Sequence, residues 1–160
     1  MLADTRTGDE RRRLVEAALA DVERAIELGE PARRAQPGWR RTRAALLADL
    51  GRDAEAEVEL ARVVAALPGN LAARVVHAEV LERLGRGAEA VLEREAVVRL
   101  RPDSSAAWRA LGELRARLGA KDAARADLRR ALEFAERAAG SESSRDDAAR
   151  ARAALEGLDR

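Results

Sequence analysis

The residue types that most often carry catalysis or metal binding are scarce in this chain of 160 residues, which has one histidine and no cysteine. Without cysteine there is no thiolate nucleophile and no disulfide, and two histidines cannot meet at a metal within one chain. A serine nucleophile would have to use His77 as its base, yet no Gly-x-Ser-x-Gly turn is present. No glycine-rich phosphate loop is found either. We therefore predict a non-catalytic protein with no cofactor and no bound metal.

The charges of the chain nearly cancel, since 30 basic and 29 acidic residues give a net charge of +1. Without a positive field, we expect no binding of nucleic acid or of an anionic membrane. The basic residues are almost all arginines, and they are interleaved with Glu and Asp as on a solvated helix face. The first residues are polar and no apolar run is long enough for membrane insertion, so we expect a cytoplasmic protein.

The composition favours helices. Ala, Leu, Arg and Glu are abundant and are strong helix formers, whereas aromatic residues make up only 2% of the chain. The core must therefore be built from small and aliphatic side chains, which let helices approach closely. Because 37% of the residues are charged, the outer helix faces should be solvated, and we predict an all-α protein.

Three consecutive segments of equal length, 37–70, 71–104 and 105–138, align with one another without gaps. Pro68 and Pro102 close the first two of them. Equivalent positions carry the same or similar residues in all three segments: Gly51, Gly85 and Gly119; Ala56, Ala90 and Ala124; and Val63, Val97 and Ala131. A fixed period of this length is typical of repeat proteins in which each repeat packs on its neighbours.

Each segment has the pattern of a helix, a turn and a second helix. In the third segment, Trp108, Leu111 and Leu114 lie on one face of a first helix. Gly119 follows it, and glycine readily takes the left-handed conformation that ends a helix. The second helix then carries apolar residues at three- and four-residue spacing, namely Ala124, Leu128, Ala131 and Leu132.

These residues resemble the tetratricopeptide repeat family, whose repeat of about 34 residues has the signature Trp, Leu-Gly, Ala, an apolar residue, Ala and Pro. The third segment supplies Trp108, Leu111, Gly112, Ala124, Leu128 and Ala131. The first supplies Ala44, Leu47, Ala56, Leu60 and Pro68, and the second supplies Ala78, Leu81, Ala90 and Pro102. The resemblance covers 37–138 and implies a right-handed α-solenoid of helix pairs.

Both ends of the chain depart from the repeat. We predict that residues 1–9 are disordered and that 10–36 form an N-terminal helix and a connector. That helix should cover the first repeat as a lone second-type helix, with an apolar face of Leu14, Ala18, Val22, Ala25 and Ile26. Residues 139–160 should form a loop and a C-terminal capping helix that buries Ala148, Ala151, Leu155 and Leu158.

The single histidine stands at a position that normally packs between helices. His77 aligns with Arg43 in the first segment and with Leu111 in the third. We expect a partly buried imidazole that hydrogen-bonds a nearby carboxylate or backbone group. The alternative is a histidine that senses pH or binds a ligand.

Two arginines stand where the other segments have leucine. Arg94 aligns with Leu60 and Leu128, and Arg115 aligns with the leucines of the other two first helices. An unpaired buried arginine is costly, so we expect both side chains to reach out to water. The alternative is that another molecule covers this surface.

The family resemblance implies that the first helices line a groove for a peptide segment or an amphipathic helix of another protein. Carried over by position, the groove residues are Arg41, Ala45, Asp49, Val75, Glu79, Glu82, Arg83, Arg109, Glu113 and Arg117. The alternative is that they are ordinary solvated residues. A clamp for a C-terminal carboxylate, as in the family's co-chaperones, is not expected, because Arg41 alone fits its pattern.

Three functional hypotheses follow. The first is a scaffold or adaptor that holds a segment of a partner protein. The second is self-assembly into a homo-oligomer by stacking of the end helices. The third is a secretion chaperone similar to the type III translocator chaperones, which ranks lower because the chain lacks their aromatic content and acidic bias.

Overall fold

The structure is a computed structural model, and it describes residues 2–28, 37–138 and 142–158. Within these ranges the chain forms eight α-helices and no strand, which confirms the predicted all-α fold class. The helices are α1 (Leu2–Leu28), α2 (Pro37–Asp49), α3 (Asp53–Ala66), α4 (Leu71–Arg83), α5 (Gly87–Leu100), α6 (Ser105–Arg117), α7 (Lys121–Arg137) and α8 (Glu142–Leu158). The three predicted segments contain one pair each, from α2 to α7, and the first helix of each pair starts at the first residue of its segment.

The turn inside each pair depends on a glycine. Gly51, Gly85 and Gly119 have positive φ angles of 74°, 73° and 81°. This left-handed conformation is unfavourable for residues that carry a Cβ atom. Because the three glycines occupy one repeat position, the chain leaves each first helix in the same way, and the expected role of Gly119 is confirmed.

The first helices of the second and third segments have the same kind of N-terminal cap. The side-chain oxygen of Asn70 accepts a hydrogen bond from the backbone N–H of Ala73 at 3.1 Å, and that of Ser104 accepts one from Ala107 at 3.2 Å. Such a cap satisfies a backbone donor that the first turn of a helix leaves open. The two capping residues occupy the same repeat position, so the cap belongs to the repeat.

A further hydrogen bond fixes the turn before each of these helices. Arg74 Nε donates to the carbonyl oxygen of Pro68 at 2.7 Å, and Trp108 Nε1 donates to that of Pro102 at 2.8 Å. Arg74 and Trp108 occupy the same repeat position. The Arg130 guanidinium lies 5.2 Å from the centre of the Trp108 ring, as in a cation–π contact.

The contacts divide the chain into two compact units, residues 1–85 (unit 1) and 86–160 (unit 2). The core of unit 1 joins α1 to α4 through Leu19, Ala44, Leu47, Ala56, Leu60, Val63, Ala73 and Val80. In unit 2, α6 and α7 approach closely at Gly112, where an added Cβ would lie 2.8 Å from the Cγ of Leu128. Two non-bonded carbon atoms essentially never lie so close, so any larger residue at this crossing would force Leu128 to shift.

Helix α1 begins earlier than the sequence predicts. Residues 1–9 are expected to be disordered, whereas the helix already starts at Leu2. Once a helix has nucleated, extending it costs little free energy, and the amphipathic stretch that follows provides the nucleus. The expected connector over 29–36 lies outside the described residues.

Two side-chain contacts between neighbouring helices define the place of α1 in the repeat. Arg43 Nη2 of α2 lies 3.0 Å from Oε1 of Glu23 in α1, and His77 Nε2 of α4 lies 3.9 Å from Oε1 of Glu57 in α3. Both residues of the second pair lie one repeat period after those of the first. Helix α1 therefore stands where the second helix of a preceding repeat would stand.

The predicted face of α1 is confirmed at Ala18, Val22 and Ile26, which are half-buried, but its register in the repeat differs. The prediction sets Ala18 at the first alanine position of the second helix, whereas the two contacts set Val22 there, one turn further on. Accordingly Leu19 is buried, while Leu14 and Ala25, which the pattern places inside, are exposed.

Helix α8 packs on both helices of the third pair, α6 and α7. Ala148, Ala151 and Leu158 are buried, as the sequence predicts, and Leu155 is half-buried. The apolar side of unit 2 is thus covered by this helix.

Candidate partner-binding surface

The ten predicted groove residues lie on first helices of the two units, and each keeps part of its surface in solvent. In unit 1, α2 and α4 contact each other and carry seven of them. Those that are exposed are Arg41, Asp49, Glu79 and Arg83, and those that are half-buried are Ala45, Val75 and Glu82. Small and apolar side chains therefore lie between charged ones on this face.

Arg83 is held within unit 1. Its Nε and Nη2 atoms donate to the two carboxylate oxygens of Asp53, at 2.9 and 2.6 Å. These hydrogen bonds raise the pKa of Arg83 against the opposing effect of burial, and the charges of Glu79 and Asp49 raise it further. Asp49, Glu79 and Arg83 thus share one electrostatic environment, and Arg83 ties the end of α4 to the start of α3.

The other predicted groove residues of unit 1 form the surface that a ligand could touch. Arg41 is exposed and makes no ion pair with any residue that the structure describes. On α2, Ala45 lies one helical turn from Arg41 and from Asp49, and on α4, Val75 lies one turn from Glu79.

In unit 2, helix α8 reaches the first-helix face of α6. Arg109 Nη1 donates to Oε1 of Glu113 at 2.8 Å, and Arg109 Nε lies 3.7 Å from Oδ1 of Asp147 in α8. The hydroxyl of Ser105 donates to Oδ2 of Asp147 at 2.8 Å. Arg109 and Glu113 are therefore engaged within the fold, while Arg117 is exposed.

Arg115, which replaces a leucine, is paired rather than directed to water. Its Nη1 donates to Oδ2 of Asp127 at 2.7 Å, and its Nη2 donates to Glu95. The Asp127 carboxylate is 8% exposed, and burial raises its pKa while the hydrogen bond from Arg115 lowers it. The expectation that Arg115 reaches solvent is wrong, because carboxylates of the same unit compensate its charge; Arg94 is half-buried.

Unit 1 has a buried carboxylate at the same repeat position, and sequence reasoning missed both. Glu59 is 8% exposed as a residue, and Arg40 and Arg43 of α2 approach its oxygens at 2.8 and 3.4 Å. Arg62 adds a third contact at 3.3 Å. Glu59 and Asp127 are two periods apart, so an acidic residue at one position of the second helix was the available signal.

His77 is buried and close to a carboxylate, as expected, since it is 7% exposed and its Nε2 lies 3.9 Å from Oε1 of Glu57. That distance exceeds the length of a hydrogen bond, so the expected hydrogen bond to this carboxylate is not formed. Across the part of the chain that the structure describes, no group of three or more His, Cys, Asp or Glu residues is placed to hold a metal ion. None of the described helices is long and apolar enough to cross a membrane.

Comparison with solved structures identifies helical repeat proteins. A tetratricopeptide repeat protein from Parabacteroides merdae ATCC 43184 aligns over 91% of this chain and 54% of its own, with a TM-score of 0.74 and 19% identity. YrrB, a tetratricopeptide repeat protein with an unusual peptide-binding site, aligns over 76% and 61%, with a TM-score of 0.67 and 20% identity. PcrH, in complex with the chaperone-binding region of PopD, aligns over 72% and 85%, with a TM-score of 0.64 and 16% identity.

The sequence itself has no such matches: no protein-family model matches it, and no curated protein matches it. At these low identities the structural neighbours show the fold. The chain has a tetratricopeptide-repeat-like fold, and the resemblance in its repeat pattern is confirmed.

Proposed function

We propose that this protein is a non-catalytic interaction module that holds a peptide or an amphipathic helix of a partner protein on its first-helix faces. The observation that carries the proposal is the face of α2 and α4 in unit 1. There the half-buried Ala45 lies one turn from Arg41 and Asp49 on α2, and the half-buried Val75 lies one turn from Glu79 on α4.

The charges of this face favour one kind of segment. The predicted groove residues of this face carry three carboxylates, Asp49, Glu79 and Glu82, and two guanidinium groups, Arg41 and Arg83, of which Arg83 is bound to Asp53. A ligand with apolar residues separated by Lys or Arg would complement both the shape and the charge. YrrB and the PcrH–PopD complex show that this fold supports peptide and partner binding in other proteins.

The experiment is selection of peptides from a random display library on the wild-type protein, followed by calorimetric titration. Glu79→Lys should lower the affinity for the selected peptides roughly tenfold, because it reverses one charge next to the apolar Val75. Ala45→Trp should abolish binding, because the indole would occupy the space that an apolar side chain of the ligand takes beside Ala45.

Glu156→Lys is the matched control, since it reverses an exposed glutamate near the C-terminal end of α8, where a positive charge suits the helix dipole. It should leave affinity and helicity unchanged. Peptides that bind wild-type, Glu79→Lys and Ala45→Trp proteins equally would place the interface elsewhere. The translocator-chaperone hypothesis rests on the shared fold and adds no residue to this test.

A further inference from the structure

Helix α1 is a second-type helix without a first helix of its own among the described residues. In the repeats, the turn between the two helices falls at Gly51, Gly85 and Gly119. The equivalent position in α1 is Ala17, and the helix runs through it without a break. No first helix can therefore be joined to α1 at that point.

The third pair identifies the side of α1 that a first helix would cover. In that pair, Gly112 of α6 packs against Ala124 and Leu128 of α7, and both of these residues are 0% exposed. The equivalent residues of α1 are Val22 and Ile26, which are only half-buried. This side of α1 therefore lacks the cover that a first helix provides in the pairs.

Helix α2 has a matching open side. Ala73 and Val80 of α4 are 0% exposed and belong to the core that α4 shares with the preceding helices. The equivalent residues of α2 are Trp39, which is 37% exposed, and Leu46, which is half-buried. Since α1 is the only described helix before α2, these two residues keep part of the surface that a complete preceding pair would cover.

Two exposed residues extend the open side of α1. Ala25 is exposed, although the buried carboxylates of the first and third pairs occupy its position. Leu14 is 68% exposed and lies on the same side as Ala25, three helical turns earlier. A first helix placed as in the pairs would reach α1 only from Leu19 onward, since Leu19 is equivalent to the first residue of α3. We define the open face as Leu14, Val22, Ala25, Ile26, Trp39 and Leu46.

We propose that the open face binds the open face of a second copy of this chain, across a two-fold axis that sets the two α1 helices antiparallel. In each pair the second helix returns alongside the first, because only three residues join them. An antiparallel α1 thus has the direction of the missing first helix and is long enough to reach Leu14 as well.

The open face complements itself in size. With the axis midway between Ala18 and Val22, each Val22 lies level with Ala18 of the second copy, a larger side chain against a smaller one. The same axis sets Leu14 level with Ile26 of the second copy. One surface therefore supplies both halves of the contact, as a two-fold interface requires.

Helix α2 contributes to the contact through Trp39. Helices α1 and α2 run antiparallel, because Glu23 contacts Arg43 while Val15 and Leu50 line one pocket. Trp39 lies one turn before Arg43 and therefore about one turn beyond Glu23 along α1. The two-fold axis carries this level to the opposite end of the contact, where the exposed leucine of the second copy lies.

The extent of the contact sets its strength. Residues 14–26 span about 18 Å of helix, and burying Leu14 against Trp39 removes apolar surface from water at both ends. This gives an interface at the small end of the range for specific complexes. The dimer is therefore reversible, and its dissociation constant lies on the order of micromolar to hundreds of micromolar.

Sedimentation equilibrium of the full chain between roughly 1 and 500 µM tests the proposal. The wild-type protein should pass from monomer to dimer over this range. Ala25→Arg places a charge on the open face and should raise the dissociation constant at least about tenfold. Ala20→Arg is the matched control, because Ala20 is also exposed but lies on the opposite side of α1. It should dimerise like the wild-type protein.

Cross-linking gives the decisive comparison, since the chain has no cysteine of its own. A mixture of Leu14→Cys and Trp39→Cys chains, treated with a short bis-maleimide at high concentration, should give a covalent dimer. Either variant alone should not, because its two cysteines would stand at opposite ends of the contact.

Four results would overturn the proposal. A monomer at every concentration would mean that the open face does not bind a second copy. A dimer that Ala25→Arg leaves unchanged would place the contact elsewhere, and oligomers larger than two would contradict the closed two-fold geometry. Cross-links that form as readily within one variant as in the mixture would contradict the antiparallel arrangement. Circular dichroism of each variant separates these results from misfolding.

Discussion

The first and last helices that the structure describes are covered to different degrees. Helix α8 packs on both α6 and α7 and has Ala151 fully buried. Helix α1 packs along one side on α2 and leaves Leu14 and Leu28 largely exposed on the other. Both helices are rich in alanine and charged residues, so composition does not distinguish them. What differs is the number of neighbouring helices: α8 has buried alanines at 148 and 151, whereas no alanine of α1 whose burial is described is fully buried.

The two units also differ in the number of arginines that pair with their buried carboxylate. Glu59 of unit 1 is approached by three arginines, from α2 and from its own helix. Asp127 of unit 2 receives its hydrogen bond from Arg115 alone among the described residues. Removing charge from the second site should therefore have the clearer effect.

The largest expected effect compares one alanine in each end helix. Ala151→Asp would place a carboxylate in a closed apolar site and should destabilise unit 2 by roughly 3 kcal/mol or more. Ala25→Asp, on the exposed side of α1, should change stability by less than about 0.5 kcal/mol. Urea unfolding followed by circular dichroism measures both, and equal effects would contradict the difference between the two ends.

A smaller effect is expected at two positions that the repeat makes equivalent. Ala124 is fully buried beside α6, and Ala124→Leu should overpack that contact at a cost of roughly 1–3 kcal/mol. Val22 occupies the same repeat position in α1 but has no first helix beside it, so Val22→Leu should be nearly neutral. An unchanged melting temperature for Ala124→Leu would show that the assigned register is wrong.

The smallest effect concerns pH. Burial raises the pKa of Asp127, so the folded state binds this proton more tightly than the unfolded state does. Its contribution to stability is fully present below the unfolded pKa of about 3.9 and is lost as the pH rises through the folded value.

The difference in unfolding free energy between the wild-type protein and Asp127→Asn should therefore fall from pH 3 to pH 6. Denaturant titrations at several pH values measure it. A difference that rises with pH would mean that Arg115, not burial, dominates the pKa of this carboxyl.

Much of the fold could be predicted because a few positions permit one solution. Glycines at 51, 85 and 119 mark the turns, since positive φ angles are unfavourable for other residues. The register of α1 could not be found in this way, because Ala18, Val22 and Ile26 recur one turn apart, so a shift of one turn gives an equally apolar face. The pair Glu23–Arg43, repeated as Glu57–His77, was the signal that could have decided it.

The site was harder to predict than the fold. The repeat pattern predicts that Arg83 and Arg109 lie on first helices, as they do, but it could not show that Asp53 and Asp147 hold them. Those partners come from other helices, and their distance depends on packing that no periodicity encodes. Likewise, Arg115 appeared costly because its compensation by Asp127 joins two helices of one unit.

The contact at the helix-ending prolines has a consequence for how such chains diverge. Arg74 and Trp108 share neither charge, shape nor hydropathy, yet each delivers one N–H group to the same carbonyl. The two repeats have in common a hydrogen-bond donor at one position, and the side chain that carries this donor can be exchanged. Substitution scores treat such an exchange as a radical change, although the conformation of the backbone stays the same. A chain that diverges in this way can still be superposed on proteins of the same fold when its sequence no longer matches any family model.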